Sequence, residues 1–119
     1  MIARRWLPPA AWAACILIAT SIPGAHIPRV NIPDFDKMVH FGFYGVFALL
    51  MFRALESPSV VRRVITVLIA IAIFAALDEF HQRFIPGRYM DLDDWMADMA
   101  GAMVGLVLAA ATRRREVRA

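Results

Sequence analysis

A chain of 119 residues fits one domain, yet its 61% hydrophobic content and mean hydropathy of +0.59 exceed what a soluble core of that size needs. The excess excludes an ordinary soluble domain and points to lipid as solvent. One cysteine, Cys15, excludes an internal disulfide and says nothing about redox compartment.

Apolar runs at 7–22, 39–54, 64–77 and 95–111 are each slightly shorter than the roughly 20 residues that cross about 30 Å of hydrocarbon, and each can borrow a turn from its flanks. They predict an all-α integral membrane four-helix bundle, one domain over 1–119, with spans at about 7–22, 37–55, 62–82 and 93–112. A soluble bundle would need polar faces that 64–77 lacks. Charge sets the orientation, because Lys and Arg gather in short cytoplasmic loops. Arg4, Arg5, Arg53, Arg62, Arg63, Arg113, Arg114, Arg115 and Arg118 stand against Glu56 and Glu116 on one side, 9 − 2 = +7. Arg29, Lys37, Arg83 and Arg88 stand against Asp34, Asp36, Asp78, Glu79, Asp91, Asp93, Asp94 and Asp98 on the other, 4 − 8 = −4. Both termini are therefore expected in the cytoplasm. The basic pI near 9.8 reflects this bias rather than nucleic-acid binding, so membrane lipid is the expected partner and nucleic acid is not.

The first run can be read as a signal peptide, with Arg4 and Arg5 ahead and small residues near Gly24 and Ala25; an uncleaved anchor is the favoured reading. Cys15 follows Trp12, Ala13 and Ala14, faintly like a lipoprotein cleavage site, but the preceding run is short and broken by Pro8 and Pro9, so a membrane-facing thiol is expected. Residues 23–36, with three prolines and Gly24, predict an extended outer loop whose apolar side chains hold it on the membrane surface, partly covering what lies below. A plain connector with apolar anchors accounts for the same residues.

The second span begins around Asp36 and Lys37. Asp36, His40 and Tyr44 recur at i, i+4 and i+8, one stripe of a helix entering at the acidic face. A lone histidine is ordinarily a satisfied core residue; three polar groups on one stripe predict a shared polar pocket. Residues 54–64 read as a cytoplasmic turn anchored by Arg62 and Arg63, with no site.

The segment 78–98, DEFHQRFIPGRYMDLDDWMAD, concentrates ionisable side chains between two apolar runs. A charge at membrane depth costs several kcal/mol, so this is the candidate site. Asp78, His81 and Gln82 can share a helical face, with Glu79 rotated about 100° away, toward Arg83. The helix should stop before Pro86, and another should begin within 91–94. Asp94, Asp98, Gly101 and Gly105 then form one stripe, and a GxxxG pattern ordinarily means close helix packing, so the carboxylates should face the bundle. Met96, Met99 and Met103 lie on another stripe, and Trp95 reads as an interfacial anchor.

The candidate pocket is Asp36, Lys37, His40, Tyr44, Asp78, Glu79, His81, Gln82, Arg88, Asp94 and Asp98. Several chemistries fit. A metal could be held, but no strong zinc signature is present. A histidine beside a carboxylate can act as a general base. Lys37 and Arg88 can hold a phosphate or carboxylate head group. Against these stands an inter-helix clasp in which Arg88 and the carboxylates neutralise one another. The residues name no catalytic group, cofactor or metal.

At DKMVHFGFYG (36–45), DEFHQRFIPGR (78–88) and the Asp94, Asp98, Gly101, Gly105 series, the chain resembles the VanZ-like proteins, small membrane proteins named after an accessory factor in resistance to the glycopeptide teicoplanin. Family motifs map onto Asp36, Lys37, His40 and Tyr44, then Asp78, Glu79, Gln82, Pro86 and Arg88, then Asp94. Where many members have Asn, this sequence has Asp98. The resemblance implies a multi-pass protein of the bacterial cytoplasmic membrane and no settled reaction.

The leading functional reading is an outer-face pocket that binds, or processes, the polar head group of an envelope molecule such as a lipid-linked precursor. The alternative is a non-enzymatic structural or accessory protein acting through a protein partner, in glycopeptide or envelope-stress resistance. A transporter is disfavoured, since no span carries an interior charge on its cytoplasmic half.

Overall fold

The computed structural model describes residues 1–118, and they are all-helical. Four α-helices follow one another: α1 (Ile2–Thr20), α2 (Phe35–Ala54), α3 (Val60–Gln82) and α4 (Leu92–Arg118), with a single 3₁₀ turn at Gly24–His26.

The apolar runs become helices because backbone groups that face lipid must be satisfied within the segment. Three of the helices, α2, α3 and the Leu92–Arg115 part of α4, are long and apolar enough to cross a membrane. The sequence reading expected four. The α1 helix carries Arg4, Arg5, Pro8 and Pro9 in its first half, so only its second half is uniformly apolar.

The pattern of exposure is inverted relative to a soluble bundle. Val61, Ile65, Ile69, Ile73 and Leu77 form an outward stripe on α3, each more than half exposed. Met96, Met103, Val107 and Leu108 do the same on α4. Inside lies a modest core of Ile16, Tyr44, Phe47, Phe52, Val67, Ile71 and Leu106 with small residues between them. Phe47 and Phe74 meet edge-on at 5.1 Å, and Tyr44 leans on both.

The closest packing joins α2 to α4. It is set by glycine: a Cβ added to Gly101 would overlap the Phe41 carbonyl, and one added to Gly105 would overlap that of Gly45. Missing side chains let the two backbones touch. The α1 helix docks on α2, where Trp12 donates its indole N–H to the Phe43 carbonyl at 2.8 Å. Trp95, read from the sequence as an interfacial anchor, is half-buried and donates to the Ala72 carbonyl of α3 at 3.2 Å.

Two ends are distinguishable. Arg5 pairs with Glu56, so the start of α1 and the α2–α3 turn share an end. At the other end, Gly24 donates its N–H to the Pro86 carbonyl at 2.8 Å, joining the α1–α2 loop to the α3–α4 loop. Gly87, at φ +73°, completes a Pro-Gly turn closed by Arg88 N–H to the Ile85 carbonyl. The excess of arginine and the excess of carboxylate thus lie at opposite ends.

Gly101→Ala should force α4 off α2 and destabilise the fold by about 1–3 kcal/mol, as over-packing does. Gly42→Ala has no atom within 4 Å of the new methyl and should be neutral or slightly stabilising. Thermal unfolding of both variants in detergent checks the pair.

Candidate functional site

The end of the bundle away from the arginine-rich turn holds the buried polar residues Thr20, His40, Asp78, Glu79, Gln82, Asp94 and Asp98. Each comes from a helix whose apolar residues anchor it and whose terminal turns carry the polar groups.

Asp78 is 1% exposed and is held by two hydroxyls. Thr20 donates to its Oδ1 at 2.7 Å and Tyr44 to its Oδ2 at 3.0 Å, so α1, α2 and α3 meet on one carboxylate. Thr20 was missed in the sequence. Its signal was there: it is the first side-chain hydroxyl of the chain, after nineteen residues without one, close to the end of the first apolar run.

A second chain of contacts runs through His40. Lys37 Nζ reaches Asp94 Oδ1 at 3.0 Å, with Asp36 at 3.3 Å and Asp91 at 3.6 Å around it. Asp94 Oδ2 lies 3.7 Å from His40 Nε2, and His40 Nδ1 lies 2.8 Å from Asp98 Oδ1. Asp98 Oδ2 has no hydrogen-bond partner.

Glu79 corrects an expectation. It does not pair with Arg83 but turns inward, accepting from Gln82 Nε2 at 3.2 Å and from the Asp91 backbone N–H at 3.1 Å. Its Oε1 is 3.9 Å from His40 Nδ1. Arg83 lies just past the last helical residue, and its guanidinium sits over the Phe80 ring at 5.4 Å. The i+4 ladder that would have joined the pair stops one residue short.

The clasp between Arg88 and the carboxylates is also absent among the described contacts. Arg88 donates from Nε to the Ile22 carbonyl and from Nη2 to the Ala19 carbonyl, both at 3.0 Å, and so caps the open end of α1. His81 is half-buried, with an unpartnered Nδ1, and does not join Asp78 and Gln82.

Against this cluster lies a groove of about 370 Å³ between α1, the α1–α2 loop and α2. Ile27, Val30, Ile32, Phe35 and Val39 form apolar walls, all exposed at their outer edges. Thr20, Asp36, His40, Tyr44 and Arg88 supply its polar groups. The loop does form a wall of this cavity. Of the residues named from the sequence, Asp36, His40, Tyr44 and Arg88 line the groove. Asp78, Glu79, Gln82, Asp94 and Asp98 lie in the hydrogen-bonded cluster behind it. Gly101 and Gly105 lie below, at the α2–α4 contact.

The family model described as VanZ/LLP1 matches residues 4–113, nearly the whole chain. The chain belongs to the VanZ family. No curated protein and no solved structure matches it. Membership of that family and the three membrane-capable helices make this a membrane-type helical protein. The buried histidine and carboxylates fall within the matched residues.

The two hydroxyls on Asp78 generate a prediction. Tyr44→Phe and Thr20→Val should each destabilise the protein by about 1–3 kcal/mol, because each leaves part of a buried carboxylate without a donor. The double variant should lose more than the sum, since no donor then remains. Thermal unfolding of the four proteins reads the coupling.

Proposed function

We propose that this VanZ-family protein binds the polar head group of a cell-envelope amphiphile, of the kind carried by a lipid-linked precursor, at the extracytoplasmic face of the bacterial cytoplasmic membrane. The observation that carries this reading is the groove: apolar walls that continue into the exposed apolar surface, and polar groups from Thr20, Asp36, His40, Tyr44 and Arg88 inside. A lipid chain fits the first and a head group the second. Arg88 has two donors committed to the end of α1, which fixes its position, and its remaining donors can meet an incoming oxygen.

The placement at the outer face rests on the charge asymmetry of +7 against −4, which puts both termini in the cytoplasm. In a Cys15→Ser background, Tyr89→Cys should label with a membrane-impermeant maleimide in intact cells. Pro58→Cys should label only after the membrane is opened. The reverse pattern places the groove in the cytoplasm and removes the envelope reading.

Occupancy is tested by native mass spectrometry of gently solubilised protein with lipid analysis. Wild type should retain a lipid adduct, and Val39→Trp, which plugs the groove from an exposed position, should lose it. Arg88→Gln should weaken it about tenfold or more. Identical lipids on wild type and Val39→Trp would leave the accessory reading, in which the protein acts through a protein partner, as the better one.

A further inference from the structure

The polar cluster is short of positive charge. Asp78, Glu79, Asp94 and Asp98 are buried carboxylates. Among the described residues, the only cationic side chains paired with any of them are Lys37 and His40. Even with His40 protonated the sum is −4 + 2 = −2. Arg88 lines the neighbouring groove, but its hydrogen bonds go to the Ala19 carbonyl of α1 and the Ile22 carbonyl just past it.

The shortage has a location. Asp98 is fully buried, its Oδ1 lies 2.8 Å from His40 Nδ1, and its Oδ2 has no partner. A buried oxygen without a donor is rare enough to require an explanation. Glu79 Oε1 approaches the same histidine nitrogen at 3.9 Å. One donor atom each from His40, Glu79 and Asp98 falls within 4.8 Å of the others. Ligands held at about 2.0–2.2 Å from one ion stand about 3.0–3.6 Å apart, so the histidine already sits near that spacing from both carboxylates.

We propose that His40, Glu79 and Asp98 bind one divalent transition-metal ion, zinc or manganese, inside the bundle. An imidazole with two carboxylates is a mixed N/O donor set suited to first-row ions. His40 ligates as the neutral imidazole, so the ion brings the sum to −4 + 1 + 2 = −1, and it gives the free Asp98 oxygen a partner. Asp94, 3.7 Å from His40 Nε2, stands where a metal-ligating histidine commonly finds the carboxylate that orients its ring. The ligands come one each from α2, α3 and α4, so no short sequence signature announces them. The inference does not rest on the head-group reading and stands whatever occupies the groove.

Full-length protein in detergent, stripped with chelator and dialysed against Zn²⁺ or Mn²⁺, is assayed for bound metal and for thermal unfolding. About one ion per chain is expected, with a higher unfolding temperature in its presence. The near-isosteric Glu79→Gln and Asp98→Asn should each weaken binding tenfold or more, and Asp93→Asn, at an exposed position, should not. Substoichiometric metal with both ions overturns the proposal, as does binding that survives both substitutions. If the variants fail to fold, wild type loaded with Co²⁺ decides: paramagnetically shifted imidazole proton resonances that Zn²⁺ abolishes support the proposal, and their absence defeats it. No metal on wild type, with Asp98→Asn as stable as wild type or more so, likewise overturns the proposal.

Discussion

The contact between α2 and α4 is the constraint on which the polar end depends. An aspartate side chain is short, so Asp98 can reach His40 at 2.8 Å only if the two helix backbones nearly touch. Gly45, Gly101 and Gly105 provide that approach one and two turns deeper in the bundle. Packing and charge pairing are therefore one device. Were the helices to separate, Asp94 and Asp98 would face lipid, and the cost of that exposure holds the pair together as firmly as any attraction between them.

The ends of the helices are closed by the same chemistry used twice. Arg63 at the arginine-rich end donates to the Phe52 carbonyl at 3.4 Å and the Ser57 carbonyl at 3.2 Å, with its guanidinium over the Phe52 ring at 4.8 Å. Arg88 does the same for α1 at the other end. A helix end leaves carbonyls without partners, and near a bilayer water is not freely available to satisfy them. An arginine has enough donors to serve two carbonyls while its stem packs against apolar neighbours. At each end the capped carbonyls also attract positive charge through the helix dipole. Arg63, which reads in sequence as an interfacial anchor, and Arg88, which reads as a carboxylate partner, are thus both drawn to backbone.

What the sequence made legible was local rotation about a helix. The stripes Asp36, His40, Tyr44 and Asp94, Asp98, Gly101, Gly105 follow from 3.6-residue periodicity, and the structure puts each set where its neighbours on the stripe point. What it left hidden was the choice of partner across elements. The rotation of Glu79 about 100° from Asp78 points it toward Arg83 at i+4, but the helix ends at Gln82, and the Asp91 N–H and Gln82 amide draw it inward. Thr20 escaped notice because a threonine near a helix end usually serves its own backbone, as this one also does toward Ile16. Its second contact, to Asp78, lies 58 residues away and belongs to the fold alone. The partner of Trp95 is hidden in the same way: its place near a boundary suits an anchor, and only tertiary packing offers it the Ala72 carbonyl.

Groove and cluster share His40, so the occupant of one is coupled to the charge of the other. At a separation near 5 Å and an effective dielectric near 20, two like charges repel by about 3 kcal/mol. A phosphate entering the groove beside buried carboxylates that outnumber their cationic partners would meet that repulsion, with Arg88 as its chief compensation and Asp36 opposing it. A head group of sugar hydroxyls or a zwitterion does not meet it. A divalent ion on His40, Glu79 and Asp98, with His40 neutral as a ligand, would reduce the deficit and with it the repulsion of anions from the groove. On the proposed head-group reading, selectivity would therefore not be a property of the groove walls alone. It follows from the net charge behind them, and that charge is set by the number of carboxylates the α2–α4 contact buries and by what neutralises them.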